Sequence, residues 1–148
     1  MSWLISIINI QDDNRLPLGS REEVIAVVAN ALPGIVLECP PIPPQDILDI
    51  MPPILRESAL NPDLEATYEV DDLHIRFCAL NQPVLDWINA EVRGNDDPSP
   101  VLASLCGSRN WSVVDVDNQI VDLAKTSDSA WERFRKWRDF AFQQAKLK

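Results

Sequence analysis

The sequence predicts an α+β domain: an antiparallel or mixed sheet of five to seven strands, with three main helices packed mostly on one face. Three observations carry this expectation. Between residues 66 and 92, apolar alternation runs through three segments separated by Asp71-Asp72 and by Asn81-Gln82-Pro83, and successive turns of that kind make an antiparallel meander. Helical periodicity follows a capping sequence, SREE, near residue 20 and recurs in the last twenty residues. The 148 residues suit one domain with its own core, residues 1–148, interrupted by a proline-rich insertion at 40–62.

Trp3–Ile10 is rich in isoleucine and ends at QDDN, as a strand does. Ser20 and Glu23 then form a reciprocal capping box, after which Val24, Val27, Val28 and Ala31 recur at helical spacing until Pro33-Gly34. Ile35–Cys39 reads as a short strand. From 40 to 62 the character changes, because seven of the twelve prolines fall there and each removes a ladder donor. Yet Ile47, Leu48, Ile50, Met51, Ile54, Leu55 and Leu60 make the segment too apolar for a linker. One or two short helical turns packed as a flap reconcile these facts.

The strands Ala66–Val70, Leu73–Leu80 and Val84–Val92 follow. In the third, Leu85, Trp87, Asn89 and Glu91 alternate with Val84, Asp86, Ile88, Ala90 and Val92; neither set is cleanly polar, so both faces should be partly covered. RGNDDPSPVLASLC is then a junction. Asp97-Pro98 and Ser99-Pro100 both offer a cap followed by an N1 proline, and Ser99 is preferred, with Asp96 and Asp97 as turn residues. Trp111–Val116 is a strand that Ile120–Leu123 extends after a DNQ turn. The last helix starts at Ser127 or Asp128, and Trp131, Phe134, Trp137, Ala141, Phe142 and Ala145 form one broad apolar face. Glu132–Lys136 and Arg135–Asp139 are spaced to pair across its surface. Arg138 falls amid the aromatics, either reaching an acidic neighbour or joining Trp131 and Phe142 as a partner anchor.

The net charge of −10 argues against non-specific nucleic-acid or anionic-membrane binding. It is uneven: residues 1–124 hold 6 Lys/Arg against 20 Asp/Glu, and residues 125–148 hold 7 against 3. Cys39, Cys78 and Cys106 are too few and too scattered for a disulfide scaffold, so free thiols in a reducing compartment are expected. MSWLISIINIQDD has neither a basic region nor enough apolar length for a signal or a span, and a cytoplasmic location is the expectation.

No segment carries a catalytic signature, and no cofactor or metal is expected. DVDNQIVD, from Asp115, starts like a calcium loop, but Ile120 and Thr126 stand where its glycine and its glutamate should be. His74 and Arg76 share a strand face with Cys78. A His74–Cys78 dyad fails on distance, since residues four apart on a strand are roughly 13 Å apart. A pocket holding His74 and Arg76 is the enzyme-or-sensor reading. The leading one is a non-enzymatic, inhibitory or immunity-like domain binding a basic protein partner. Its candidate residues are Asp46, Asp49, Ile50, Met51 and Ile54 of the flap and Asp96 and Asp97 of the acidic loop; nothing sets the oligomeric state.

The order of MSW, LPLGSREEVIAVVANALPG, YEVDDLHIRFCALNQPVLDWINAEVRG and SPVLASLCGSRNWSVVDVDNQIVDL resembles a group of small, acidic, uncharacterised bacterial single-domain proteins. The resemblance covers about residues 1–40 and 66–123. It implies one α+β domain and brings no established activity. Leu4 stands where the group has an acidic residue, Arg93–Asp97 replaces a glycine-richer turn, and the proline-rich segment is longer than the usual linker. Small acidic proteins of this kind include antidotes whose acidic surface neutralises a basic nuclease, which suggests the immunity-like reading by analogy.

Overall fold

A computed structural model describes residues 2–38, 42–125 and 127–146. Cys39 lies outside them. The chain forms an α+β fold around a seven-stranded antiparallel sheet.

β1 (Trp3–Gln11) turns back into β2 (Asn14–Leu16) through Asp12 and Asp13. Both aspartates have positive φ, 50° and 63°, which the two-residue hairpin turn requires and short polar residues tolerate. The two-residue β3 (Gly19–Ser20) leads into α1 (Arg21–Ala31), where Ser20 accepts from the Glu23 N–H; of the expected reciprocal box only this half forms, and the Glu23 carboxylate lies 3.8 Å from Arg109 instead. β4 (Val36–Glu38) is the far edge strand.

The proline-rich segment forms α2 (Gln45–Ile50) and α3 (Pro53–Leu60). Prolines define both: Pro44 precedes α2, Met51 before Pro52 is extended, and Pro53 starts α3, as pre-proline and N1 preferences dictate. The expected three helices are therefore five among the described residues.

β5 (Leu64–Val70) and β6 (Leu73–Ala79) pair in full register around the Asp71-Asp72 tip. The strand expected at 84–92 is two. β7 (Val84–Leu85) pairs with β3 in a separate ribbon, and β8 (Trp87–Gly94) lies between β6 and β1. The break at Asp86 lets both Leu85 and Ile88 enter the core, which a continuous strand of period two could not do.

α4 (Ser99–Gly107) begins one step earlier than expected. Pro98 is the N-cap residue, its carbonyl accepting from the Leu102 N–H, and Asp97 just before it supplies the side-chain acceptor at this helix end, its Oδ1 taking the Ser99 N–H at 2.9 Å. Ser99 is not the cap but the first helical residue, and Pro100 takes the second position, inside the first turn where a proline costs no hydrogen bond. β9 (Ser112–Val114) pairs with β1, and the expected extension reduces to a bridge between Val114 and Ile120. α5 (Ala130–Lys146) is capped by Ser129, whose Oγ accepts from the Glu132 N–H, rather than by Ser127 or Asp128. Glu132 reaches back to the Asp128 N–H and not to Lys136.

The strand order is β2–β1–β8–β6–β5–β4, with β9 also on β1. Ile5, Ala90, Phe77 and Ala66 form one rung of the inner face, and Trp3, Val92, Ile75 and Tyr68 the next. Val24 of α1, Leu102, Leu105 and Cys106 of α4, and Trp131 of α5 join this face in a single apolar cluster. Trp3, Trp131 and Phe134 meet at ring centroid distances of 5.8–6.4 Å, a geometry that adds to their area burial.

The other face is largely open. Its rungs include Ser6–Asn89–Cys78–Glu65 and Leu4–Glu91–Arg76–Thr67, and most of these side chains reach solvent. Of the two faces of β8 expected to be partly covered, the outer one is the more open: Asn89 and Arg93 are exposed, Glu91 is half-buried, and all three face away from the core cluster.

Candidate interaction surface

Helix α2 buries only Leu48, and Leu48 stays outside the main apolar cluster. At 100° per residue, Asp46 and Ile50 stand opposite Leu48. Helix α3 buries no side chain at all. Its outward arc holds Ile54 and Glu57, opposite the half-buried Arg56 and Ala59. Ile50 is 79% and Ile54 81% exposed, and Ile47, Leu55 and Leu60 are exposed beside them. Isolated exposed leucines are ordinary; five large apolar side chains in solvent on two consecutive short helices are an unusual concentration.

Polar ties position this helical hairpin. Arg56 Nη2 donates to the carbonyls of Met51 (3.1 Å) and Asp49 (3.4 Å), stapling the end of α2 to α3, while its buried Nε has no partner. Asn61 Nδ2 donates to the Asn81 carbonyl at 2.9 Å. Asp49 accepts from Gln45 Nε2, and Asp46 and Glu57 are free of ion pairs among the described residues. The segment therefore combines exposed apolar side chains with carboxylates that form no ion pair among the described residues.

Asp46, Asp49, Ile50, Met51 and Ile54 are neighbours in the chain, all exposed except the half-buried Met51. Asp96 and Asp97 are not brought to them. Asp96 Oδ2 accepts from the Asp72 N–H at 3.0 Å, at the tip of the β5–β6 hairpin, whereas Asn61–Asn81 lies at its other end. The seven residues of β5 separate the two by roughly 20 Å. Asp96 locks a turn and Asp97 caps a helix.

His74 and Arg76 lie on the open sheet face, each with its own carboxylate. His74 Nδ1 is 2.6 Å from Glu69 Oε1, and Arg76 Nη2 is 2.7 Å from Glu65 Oε1. The hydrogen bond to Glu65 raises the Arg76 pKa. A groove of about 390 Å³ runs over this face between Arg76, Asn89, Glu91, Leu4 and the Asp115-Val116 segment; His74 does not line it. Asp115 Oδ1 is engaged by the N–H groups of Asp117 and Gln119. Cys78 also borders the groove, and burial, followed by the carboxylates of Asp63 and Glu65, pushes its thiol pKa up, which disfavours the thiolate a nucleophile needs. A second crevice, about 70 Å³ beneath α1, is lined almost wholly by apolar side chains such as Val28, Leu64 and Phe77. It has the character of a packing gap, without convergent polar groups.

Arg138 is the one buried charged residue among the described residues. It donates to the Gly94 carbonyl and to Asn95 Oδ1, both at 2.7 Å, and lies 5.7 Å from the Trp131 ring centroid. With Trp131 also buried, the Trp131–Arg138–Phe142 anchor does not exist on the surface. The apolar arc of α5 is instead wider than the sheet covers, leaving Trp137, Phe140 and Phe142 exposed.

Sequence reading did not single out Glu57 or Phe140. The signal for Glu57 was its three-residue spacing from Ile54 after a helix-starting proline. Among the described residues, no His, Cys, Asp or Glu cluster could hold a metal, and no helix is long and apolar enough to cross a membrane. Comparison with family models, curated proteins and solved structures found no match.

Proposed function

We propose that this chain is a non-enzymatic protein-binding domain, inhibitory or immunity-like in kind, and that its α2–α3 hairpin docks a basic partner. One observation carries the reading: Ile50 and Ile54 stand almost fully in solvent on helices with a single buried side chain between them. Asp46, Asp49 and Glu57 flank them. An apolar centre with a charged rim is the anatomy of a docking patch, and the rim selects for positive charge. Asp96 and Asp97 add to the acidic field without joining the patch. The resemblance to small acidic bacterial proteins belongs to the same proposal, as does a cytoplasmic setting, in which Cys78 and Cys106 remain free thiols.

The test is differential capture from the native cell lysate, with the wild-type chain and an Ile50→Asp/Ile54→Asp variant as immobilised baits. A basic protein held by the wild type, lost by the variant and released by salt is the expected result. Identical capture by both baits sinks the reading.

The groove beside Arg76 favours a second reading, a small-molecule enzyme or sensor on the open sheet face, because its volume lies in the range of ligand sites. Thermal-shift screening with small organic anions and cations tests it; no Tm shift at millimolar ligand removes it.

A further inference from the structure

On α5, Arg133, Lys136, Trp137 and Phe140 follow the i, i+3, i+4, i+7 spacing that places them on one side of a helix. Trp131 and Arg138, the buried residues, define the opposite side. Trp137 is 55% and Phe140 59% exposed. The acidic residues of this helix lie on its flank and are engaged, Glu132 with the Asp128 N–H and Asp139 at 3.5 Å from Arg138 Nε. Arg133 and Lys136 form no ion pair among the described residues. The result is an aromatic stripe with cations beside it, on a chain whose α2 and α3 expose apolar side chains with carboxylates beside them.

We propose that the aromatic stripe of α5 docks onto the α2–α3 hairpin of a second copy of this chain. Trp137 and Phe140 meet Ile50 and Ile54, while Arg133 and Lys136 face Asp46, Asp49 and Glu57. The chemistry matches on both counts, apolar to apolar and cation to carboxylate. An anionic lipid surface would suit the stripe by itself, but the remainder of the chain, with 20 carboxylates against 6 cations over residues 1–124, is repelled by such a surface. The contact is heterologous, because each copy offers one of each surface. Repulsion between two bodies of net charge −10 keeps it weak. It rests on the reading of the hairpin as a docking surface for basic partners: the second copy holds that surface until a tighter partner displaces it.

Sedimentation equilibrium from micromolar to millimolar concentration tests the inference, using the wild type, Ile50→Asp/Ile54→Asp and Trp137→Ser/Phe140→Ser. All four positions are exposed, so both variants should fold, and circular dichroism confirms it. The wild-type mass should rise with concentration, less so in high salt. Each variant alone should associate at least roughly thirtyfold more weakly, the loss expected for removing an interface hot spot. Mixed in equal amounts, the two variants should recover a dimer and nothing larger, since one intact hairpin meets one intact stripe. A wild type that stays monomeric at millimolar concentration overturns the proposal. So does a mixture that stays monomeric while the wild type associates, or a single variant that associates as well as the wild type, which would mean a like-to-like contact. Co-sedimentation of the wild type with phosphatidylserine vesicles, lost in the Trp137→Ser/Phe140→Ser variant, would assign the stripe to lipid and also overturn it. A monomeric wild type with differential lysate capture intact removes only self-docking. Recovered dimers with no basic protein captured remove only the foreign partner.

Discussion

Arg138→Ala should destabilise the fold by about 2–4 kcal/mol, although Arg138 lies on the side of α5 opposite its exposed aromatic stripe. The residue is 6% exposed, and its guanidinium makes two 2.7 Å hydrogen bonds, to the Gly94 carbonyl and Asn95 Oδ1. Hydrogen bonds from a charged donor contribute about 1.5–3 kcal/mol each. The Trp131 ring adds roughly 0.5–2 kcal/mol. Against this stands the desolvation of a buried cation, several kcal/mol, which is why the net falls below the sum. For a chain of this size, the loss corresponds to a Tm lower by about 6–12 °C. Arg138→Lys should lose about half as much, because an ammonium keeps the charge but does not span two acceptors with a rigid fork. Urea titrations followed by far-UV circular dichroism give the free energies, and Trp fluorescence reports the loosening around Trp131. An Arg138→Ala variant within about 0.5 kcal/mol of wild type, the scatter of ordinary surface substitutions, would refute the reasoning that this residue latches α5 to the end of β8.

Gly94→Ala should cost about 3 kcal/mol or more, because φ is +102° and a Cβ there would lie 2.0 Å from the Asp72 carbonyl oxygen. Urea denaturation measures it, and a loss under about 1 kcal/mol would show that the β5–β6 tip moves aside freely. Asp97→Ala should cost about 1 kcal/mol and Asp97→Asn almost nothing, since either side-chain oxygen caps a helix; equal losses in thermal melts would point to charge rather than capping. Burial alone pushes the Cys106 thiol up to about 12, against an ordinary value of 9.0. The folded chain therefore keeps a proton that the unfolded chain releases above that ordinary value. The stability this contributes is complete below pH 9.0 and declines by about 1.4 kcal/mol per pH unit up to pH about 12. Urea titrations at rising pH should show this slope in the wild type relative to Cys106→Ala, and parallel curves would contradict it.

Local chemistry was enough to locate most elements. Alternation and Asp-Asp turns set the β5–β6 hairpin, Ser20 and Glu23 set the start of α1, and the proline pairs set the ends of α2 and α3, because each is a constraint between residues a few positions apart. The same logic contained the turn at Asp12-Asp13 and the cap at Asp97, and only the choice between equivalent local signals went astray. What the tertiary structure decided is which surfaces stay uncovered. Periodicity shows that Asn89, Glu91 and Arg93 share a face, or that Trp137 and Trp131 are both apolar. It does not say where α1, α4 and α5 land, and these helices cover one face of the sheet while the sheet covers only part of α5. The break at Asp86, the reach of Asp96 to Asp72 and the burial of Arg138 against Gly94 are likewise long-range outcomes, set by packing distant segments together. Ile50 and Ile54 show the difference most plainly: their sequence demanded short helices between prolines, and only the packing of the remainder of the chain left both side chains in water.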